Sequence, residues 1–235
     1  MKRKVSLLLF TALLAFAVPA LAADEALLGF TGYDFKTPAG GTYLAIGDSY
    51  QAVGFVTYFN PTWLQPYVDP GANEYTFYQH GLVVNSYSFS GNFLFVTFAN
   101  GGSVEYYEDP SFDATNPPNP PNCPRYGNNP PNATSPSTFS NGTLAISGSL
   151  ANATLYYDYN SNQGAFGADM TITGGVDAVY VPPGSWSGWF MSGLFNTPSG
   201  PCAPAGYDHI LSGECRHPVT ATTGKTWGAL KKLYR

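Results

Sequence analysis

The sequence predicts an all-β protein, an antiparallel β-sandwich or jelly-roll-like fold of roughly ten strands with one short helix near 185–195. Three observations carry this. Only 11% of the 235 residues are Asp, Glu, Lys or Arg, while 16% are aromatic and Gly (26) and Pro (20) are abundant; ordinary soluble domains have about a quarter charged residues, so helical bundles, coiled coils and charged disordered tails are excluded. From Gly29 to Ile172 the chain reads as short β-branched and aromatic runs cut by Gly, Asn, Asp and Pro. No amphipathic helix of βαβ length separates those runs, which excludes a parallel sheet. The formal charge of −5 disfavours nucleic acid and anionic lipid as partners.

The N-terminus reads as an export signal. Lys2, Arg3 and Lys4 form a basic region, Val5 to Val18 is apolar, and Ala20-Leu21-Ala22 supplies the small residues of a cleavage site, so residues 1–22 read as a signal peptide and Ala23 as the mature start. The apolar run is shorter than the ~20 residues of a spanning helix, and no later segment reaches that length, so no transmembrane segment remains after cleavage. No cysteine follows the run to take a lipid. The expected location is secreted, periplasmic or cell-surface. Without Lys2, Arg3 and Lys4 the charge becomes −8, from 7 basic against 15 acidic residues.

The strand candidates follow in order: Tyr43–Ile46, Gln51–Phe59, Glu74–Gln79 and Leu82–Phe89. Residues 92–108 read as a hairpin, Phe93–Phe98 and Ser103–Tyr107 flanking the turn Asn100-Gly101-Gly102. Phe93–Phe98 is apolar on both faces and so reads as a covered central strand. Thr143–Ser147 and Ala153–Tyr159 come next, and Gly164–Thr173 alternates, with Phe166, Ala168, Met170 and Ile172 on one face. Between them, residues 116–136 carry eight prolines among asparagines and are expected to form a long surface loop. Residues 141–173 give only three strands, too few for a separate core, so residues 23–220 are expected to be a single β domain. Trp186, Trp189, Phe190, Gly193 and Leu194 fall at helical spacing behind Ser185 as N-cap; such a helix covers an open end of the sandwich or offers an aromatic binding surface.

Three cysteines in an oxidising compartment leave one over. Cys202 and Cys215 bracket a short loop whose closure would stabilise by about 3 kcal/mol, and they are the favoured pair; pairing of Cys123 with either stays open. No spacing suits a structural zinc site.

No catalytic set is defended by the sequence, but one alternative is specific. Tyr43 to Tyr50 contains Gly47-Asp48-Ser49, which resembles the first block of the GDSL or SGNH hydrolases, and Glu214-Cys215-Arg216-His217-Pro218 is similar to their late Asp-x-x-His-Pro block, with Glu for Asp. The resemblance implies a serine esterase in which Ser49 attacks an ester, His217 takes its proton and Glu214 orients the imidazole. The family is α/β, whereas residues 51–58 read as a strand, and Gly47-Asp48-Ser49 is equally an ordinary turn.

Asp158, Asn160, Asn162 and Asp169 occupy positions one, three, five and twelve of an EF-hand-like loop and make a candidate calcium site; a hairpin turn explains the same letters. Glu105, Glu108, Asp109 and Asp113 are the densest acidic group, but on a strand Glu105 and Asp109 stand ~13 Å apart, too far for a glycosidase pair. Tyrosines at 75, 78, 87, 106, 107, 156 and 157, with Trp63, Trp186 and Trp189, offer faces that stack on sugar rings or simply pack. Asn132, Asn141 and Asn152 begin glycosylation sequons.

After residues 38–215, whose only basic Lys or Arg is Arg125, come Arg216, Lys225, Lys231, Lys232 and Arg235. Residues 221–235 form a basic tail ending Thr226-Trp227-Gly228-Ala229-Leu230-Lys231-Lys232-Leu233-Tyr234-Arg235. It resembles the TWGxxKxxYR-type tail of uncharacterised secreted bacterial β-sandwich proteins, which names no activity. A sorting tag read by cell-surface or secretion machinery and a basic tail lying on the acidic domain are both open. The expected function is a binding or structural module at or outside the cell surface, for carbohydrate or calcium, with no resident cofactor beyond calcium.

Overall fold

The computed structural model describes residues 25–39, 43–114, 136–197 and 206–217, and residues 25–217 form one compact unit. The signal segment, residues 116–135 of the Pro/Asn-rich loop, Cys123, Cys202 and the basic tail lie outside the described residues.

Nine antiparallel strands build the unit: β1 (Glu25–Thr37), β2 (Ser49–Phe59), β3 (Glu74–Ser90), β4 (Phe93–Phe98), β5 (Gly102–Asp109), β6 (Thr143–Asp158), β7 (Gln163–Gly174), β8 (Trp189–Asn196) and β9 (His209–His217). Strands consecutive in the chain pair with one another, except β4 with β5, and β9 returns to β1. The β2–β3 pairing closes the ring. The expected sandwich or jelly roll is therefore corrected to a closed barrel of eight staves. A sandwich needs two sheets with separate edges; here every strand finds a partner on both sides, so no edge is left for a second sheet.

There are eight staves for nine strands because β4 and β5 share one. Both lie along β3 and both lie along β6, end to end. The expected hairpin over 92–108 is thus a single stave broken at residues 99–101, where Gly101 takes φ 120°. Its glycine relieves a bend in one strand instead of reversing the chain. The separate candidates 74–79 and 82–89 are likewise one strand, kinked at Gly81 (φ 76°), and 143–147 and 153–159 are both in β6. Residues 43–48 are turns, with Leu44 at φ 55° and the Asp48 carboxylate accepting from the backbone N–H of Ala45 (2.9 Å).

The expected helix near 185–195 is β8, entered through Gly188 (φ 85°) after a three-residue turn. Trp189, Met191 and Phe195 also satisfy a period of two, and all three are buried on the inner face. The barrel uses this period because β8 must bridge β7 and β9.

Inside, Phe30, Phe77, Val104, Leu155, Met170, Trp189 and Phe195 fill the barrel and leave a cavity of only about 20 Å³. An eight-stranded barrel is just wide enough for this filling. Gly32 and Gly54 face each other across β1 and β2; a Cβ on Gly32 would stand 2.0 Å from the Val53 carbonyl oxygen, so both positions stay bare where the wall bends sharply. Outside, Tyr33, Phe35, Val53 and Phe55 form a smaller core under Ala114, Phe139 and Tyr207. The expected central strand Phe93–Phe98 has no such cover, since Phe93 and Phe95 are exposed.

The two barrel ends differ. One gathers Phe59, Glu74, Asp109, Trp189 and His217; the other gathers Thr37, Ser49, Phe93, Asp158, Asn196 and His209.

Candidate functional site

Register places Glu74 on β3 directly opposite Asp109 on β5. Both are on the outer face, yet they are only 5% and 4% exposed because the turn after β5 folds over them. That turn starts at Pro110, where Ser111 donates its N–H and hydroxyl to Asp109 (2.8 and 2.7 Å). It passes through Phe112 at φ 53° and returns Ala114, whose N–H donates to Glu74 Oε1 (2.9 Å). Asp113 completes a triad whose carboxylate oxygens lie within 4.8 Å of one another. Asn141 donates to Asp113 Oδ2 (2.8 Å), while Asp113 Oδ1 is buried with no hydrogen-bond partner. Like charges directly across an antiparallel pair are unfavourable, and two carboxylates at this separation repel by about 3 kcal/mol at an effective dielectric of 20. Three hard oxygens from separate side chains are the type of donor a calcium ion takes, and would supply three of its six to eight ligands.

Glu74 also forms part of the wall of an open cleft of about 520 Å³. Phe55, Tyr58, Phe59, Tyr75 and Phe112 supply its rings, and Gln65 and Asn73 its amides. Phe59 and Tyr75 meet edge to face at 4.8 Å. The Tyr75 hydroxyl donates to Glu108 Oε1 (2.9 Å) and accepts from the Asp69 N–H (2.8 Å). Burial, helped by the neighbouring Glu108 charge, pushes the Tyr75 phenol up to about 12. Asp177, beside the same end, has its carboxyl raised, first by burial and then by Glu108. Rings with amide and acid groups between them suit a hydroxylated sugar ring, whose C–H faces stack while its hydroxyls bond.

The opposite end holds a second buried polar group. The Asp34 carboxylate, fully buried, lies 2.9 and 3.1 Å from His209 Nδ1 and accepts from the hydroxyls of Tyr50 (3.0 Å) and Tyr43 (3.5 Å). Lys36 pairs with Asp48 at 2.8 Å, also buried, and the Lys36 backbone N–H donates to Asp208. Burial first, then the Asp34 charge, raises the Asp208 carboxyl.

The residues singled out by sequence fall elsewhere. Ser49 pairs with Thr37 and His217 with Glu25, at opposite ends of β1 and so roughly 40 Å apart; the esterase set is not brought together, and Glu214 pairs with Arg216. Asp158 accepts from the Asn160 N–H and the Ser161 hydroxyl in the β6–β7 turn, and Asn162 takes φ 54° there. Asp169 lies six residues along β7 from that turn, about 20 Å away, accepting from Asn152. The four do not converge. Trp63 meets Trp189 edge to face at 5.9 Å, and Trp186 donates to the Val181 carbonyl; Trp189 is buried in the core, while Trp63 and Trp186 are half-buried against it. Cys215 is a free, fully buried thiol 3.3 Å from Met170 Sδ, and burial raises it far above the usual thiol range; its expected partner Cys202 lies outside the described residues.

Sequence reasoning missed Glu74, although it marked Asp109 and Asp113. The signal was a partner acid on a neighbouring strand, visible only once the β3–β5 register is known. Asp34 and His209 were missed with β1 and β9 themselves.

No protein-family model matches the chain, no curated protein matches it, and no solved structure matches its fold.

Proposed function

We propose that this is an exported binding module whose carboxylate end takes a carbohydrate in the aromatic cleft, beside a calcium ion held by Glu74, Asp109 and Asp113. One observation carries the reading: the cleft wall shares Glu74 with a triad of close carboxylates, of which Glu74 and Asp109 are buried and Asp113 is half-buried. A divalent cation removes their repulsion and fixes the turn carrying Phe112, which is itself a wall of the cleft. The barrel interior is filled, which argues against carriage of a ligand inside it. Its apolar side chains point inward, opposite to the lipid-facing pattern of an outer-membrane barrel. Among the described residues, only Glu74 of the triad forms part of the cleft wall, so no pair of carboxylates flanks a bound glycosidic bond there.

Titration calorimetry with cellohexaose, xylohexaose and chitohexaose tests this. The expected result is saturable heat with one of them in calcium chloride, lost in EDTA and weakened by Tyr58→Ala, whose ring is 45% exposed on the cleft wall. Equal behaviour of Tyr58→Ala and the parent, or no heat with any sugar in calcium, contradicts it.

A further inference from the structure

Two short turns at the carboxylate end of the barrel bring a pair of tyrosine rings face to face. Tyr67 closes the turn Gln65–Tyr67 between β2 and β3, and Tyr180 closes the turn Val176–Tyr180 between β7 and β8. Their ring centroids are 3.5 Å apart and their planes differ by 4°. Aromatic pairs favour offset or edge-to-face contact, so this overlap is imposed by the backbone that carries the rings. On one side Leu64 is buried in the barrel core and its carbonyl accepts from the Tyr67 N–H (2.9 Å). On the other, Ala178 and Val181 are buried in the same core, and Gly175, at φ 106°, lies so close to β6 that a Cβ there would stand 2.2 Å from the Ala145 carbonyl oxygen.

Exposure sets this pair apart. Tyr67 is 54% and Tyr180 37% exposed, so both hydroxyls and ring edges meet solvent. Among the described residues, the other tyrosine pairs are inclined at 33° (Tyr33 and Tyr207), 55° (Tyr43 and Tyr157) and 84° (Tyr157 and Tyr159), and each includes a buried ring.

We propose that Tyr67 and Tyr180 are an oxidative cross-linking site, coupled into dityrosine by hydrogen peroxide acting through a haem peroxidase. Each phenol gives up one electron and its hydroxyl proton and becomes a phenoxyl radical, whose unpaired electron is shared with the ring carbons ortho to oxygen. The new carbon–carbon bond joins one such carbon of each ring. It forms along the normal to the rings, where the π orbitals point, and at a ring spacing of 3.5 Å the carbons facing each other are already in van der Waals contact. Each bonded carbon then loses its hydrogen as a proton and each oxygen regains one, which restores both phenols. In sum the pair loses two hydrogens and one peroxide becomes two waters. The bond staples the two turns together. Gln65 in the first turn and Val68 just after it are walls of the cleft, so the cross-link ties that wall to the segment leading into β8.

Treating the dilute protein with hydrogen peroxide and a haem peroxidase, followed by intact mass, fluorescence and peptide mapping, tests this. The expected product is a monomer lighter by two hydrogens, with dityrosine fluorescence and one linked peptide pair joining Tyr67 to Tyr180. A phenylalanine keeps the ring and removes the hydroxyl that the radical needs. Tyr67→Phe and Tyr180→Phe are therefore each expected to lose the product, whereas Tyr87→Phe, at an exposed ring whose neighbour is Phe89, keeps it. Absence of monomeric dityrosine in the parent, its survival in either of the first two variants, or linkages scattered over other tyrosines overturns the proposal.

Discussion

Asp34 gathers His209, Tyr43 and Tyr50 around one buried carboxylate, and through them ties β1, β2, β9 and the 43–48 turn together. Removing one partner from such a group leaves polar atoms stranded, which is where single substitutions cost most. The tyrosines add a pH response. Burial, with Asp34 second, raises the phenols of Tyr43 and Tyr50 well above their ordinary 10, burial does the same for Tyr106, and Tyr75 is pushed up to about 12. The folded chain therefore holds protons that the unfolded chain releases near pH 10, so stability is full below 10 and falls as pH rises from 10 toward 12 and beyond. Absorbance at the phenolate band is expected to show these tyrosines ionising together with unfolding. Ionisation of Tyr43, Tyr50, Tyr75 and Tyr106 near pH 10 in a folded chain contradicts the burial argument.

At the scale of elements, composition and period were legible and register was not. Phe166, Ala168, Met170 and Ile172 announced β7 by strict alternation, and the structure has that strand at 163–174. Trp189, Phe190 and Leu194 satisfied both a helical and a strand period, and only the need of β7 and β9 for a bridging partner decides between them. Asn100-Gly101-Gly102 carried the letters of a hairpin turn, but a turn and a break in a stave demand the same permissive backbone. Gly101 at φ 120° shows where that permission is used. Gly101→Val is expected to destabilise the fold by about 1–2 kcal/mol in urea unfolding, with Gly91→Ala, at φ 62° in a free turn, costing less. A neutral Gly101→Val would mean that the stave does not depend on the break.

For the whole molecule, the step from roughly ten strands to a closed barrel was hidden because closure is a statement about partners. β9 meeting β1 is a contact between strands at opposite ends of the barrel chain, and β1 and β9 were not separated from their surroundings by turn signals. The same closure sets Glu74 against Asp109 and builds the site at that end; neither residue alone looks unusual. The four acids of the hairpin-like run were visible as a cluster, yet their outward, covered position follows only from the turn over 110–114.

The central claim is that this triad holds a divalent cation at the edge of the cleft, and thermal unfolding in calcium and in EDTA tests it most directly. Binding to the folded state alone stabilises by about 2.7 kcal/mol at a hundredfold excess over Kd. The account predicts that millimolar calcium raises the melting temperature of the parent, that Glu74→Gln is more stable than the parent in EDTA because one repelling charge is gone, and that this variant gains little from calcium. A parent indifferent to calcium up to ~10 mM, the range of weak extracellular sites, with Glu74→Gln no more stable than it in EDTA, contradicts the claim.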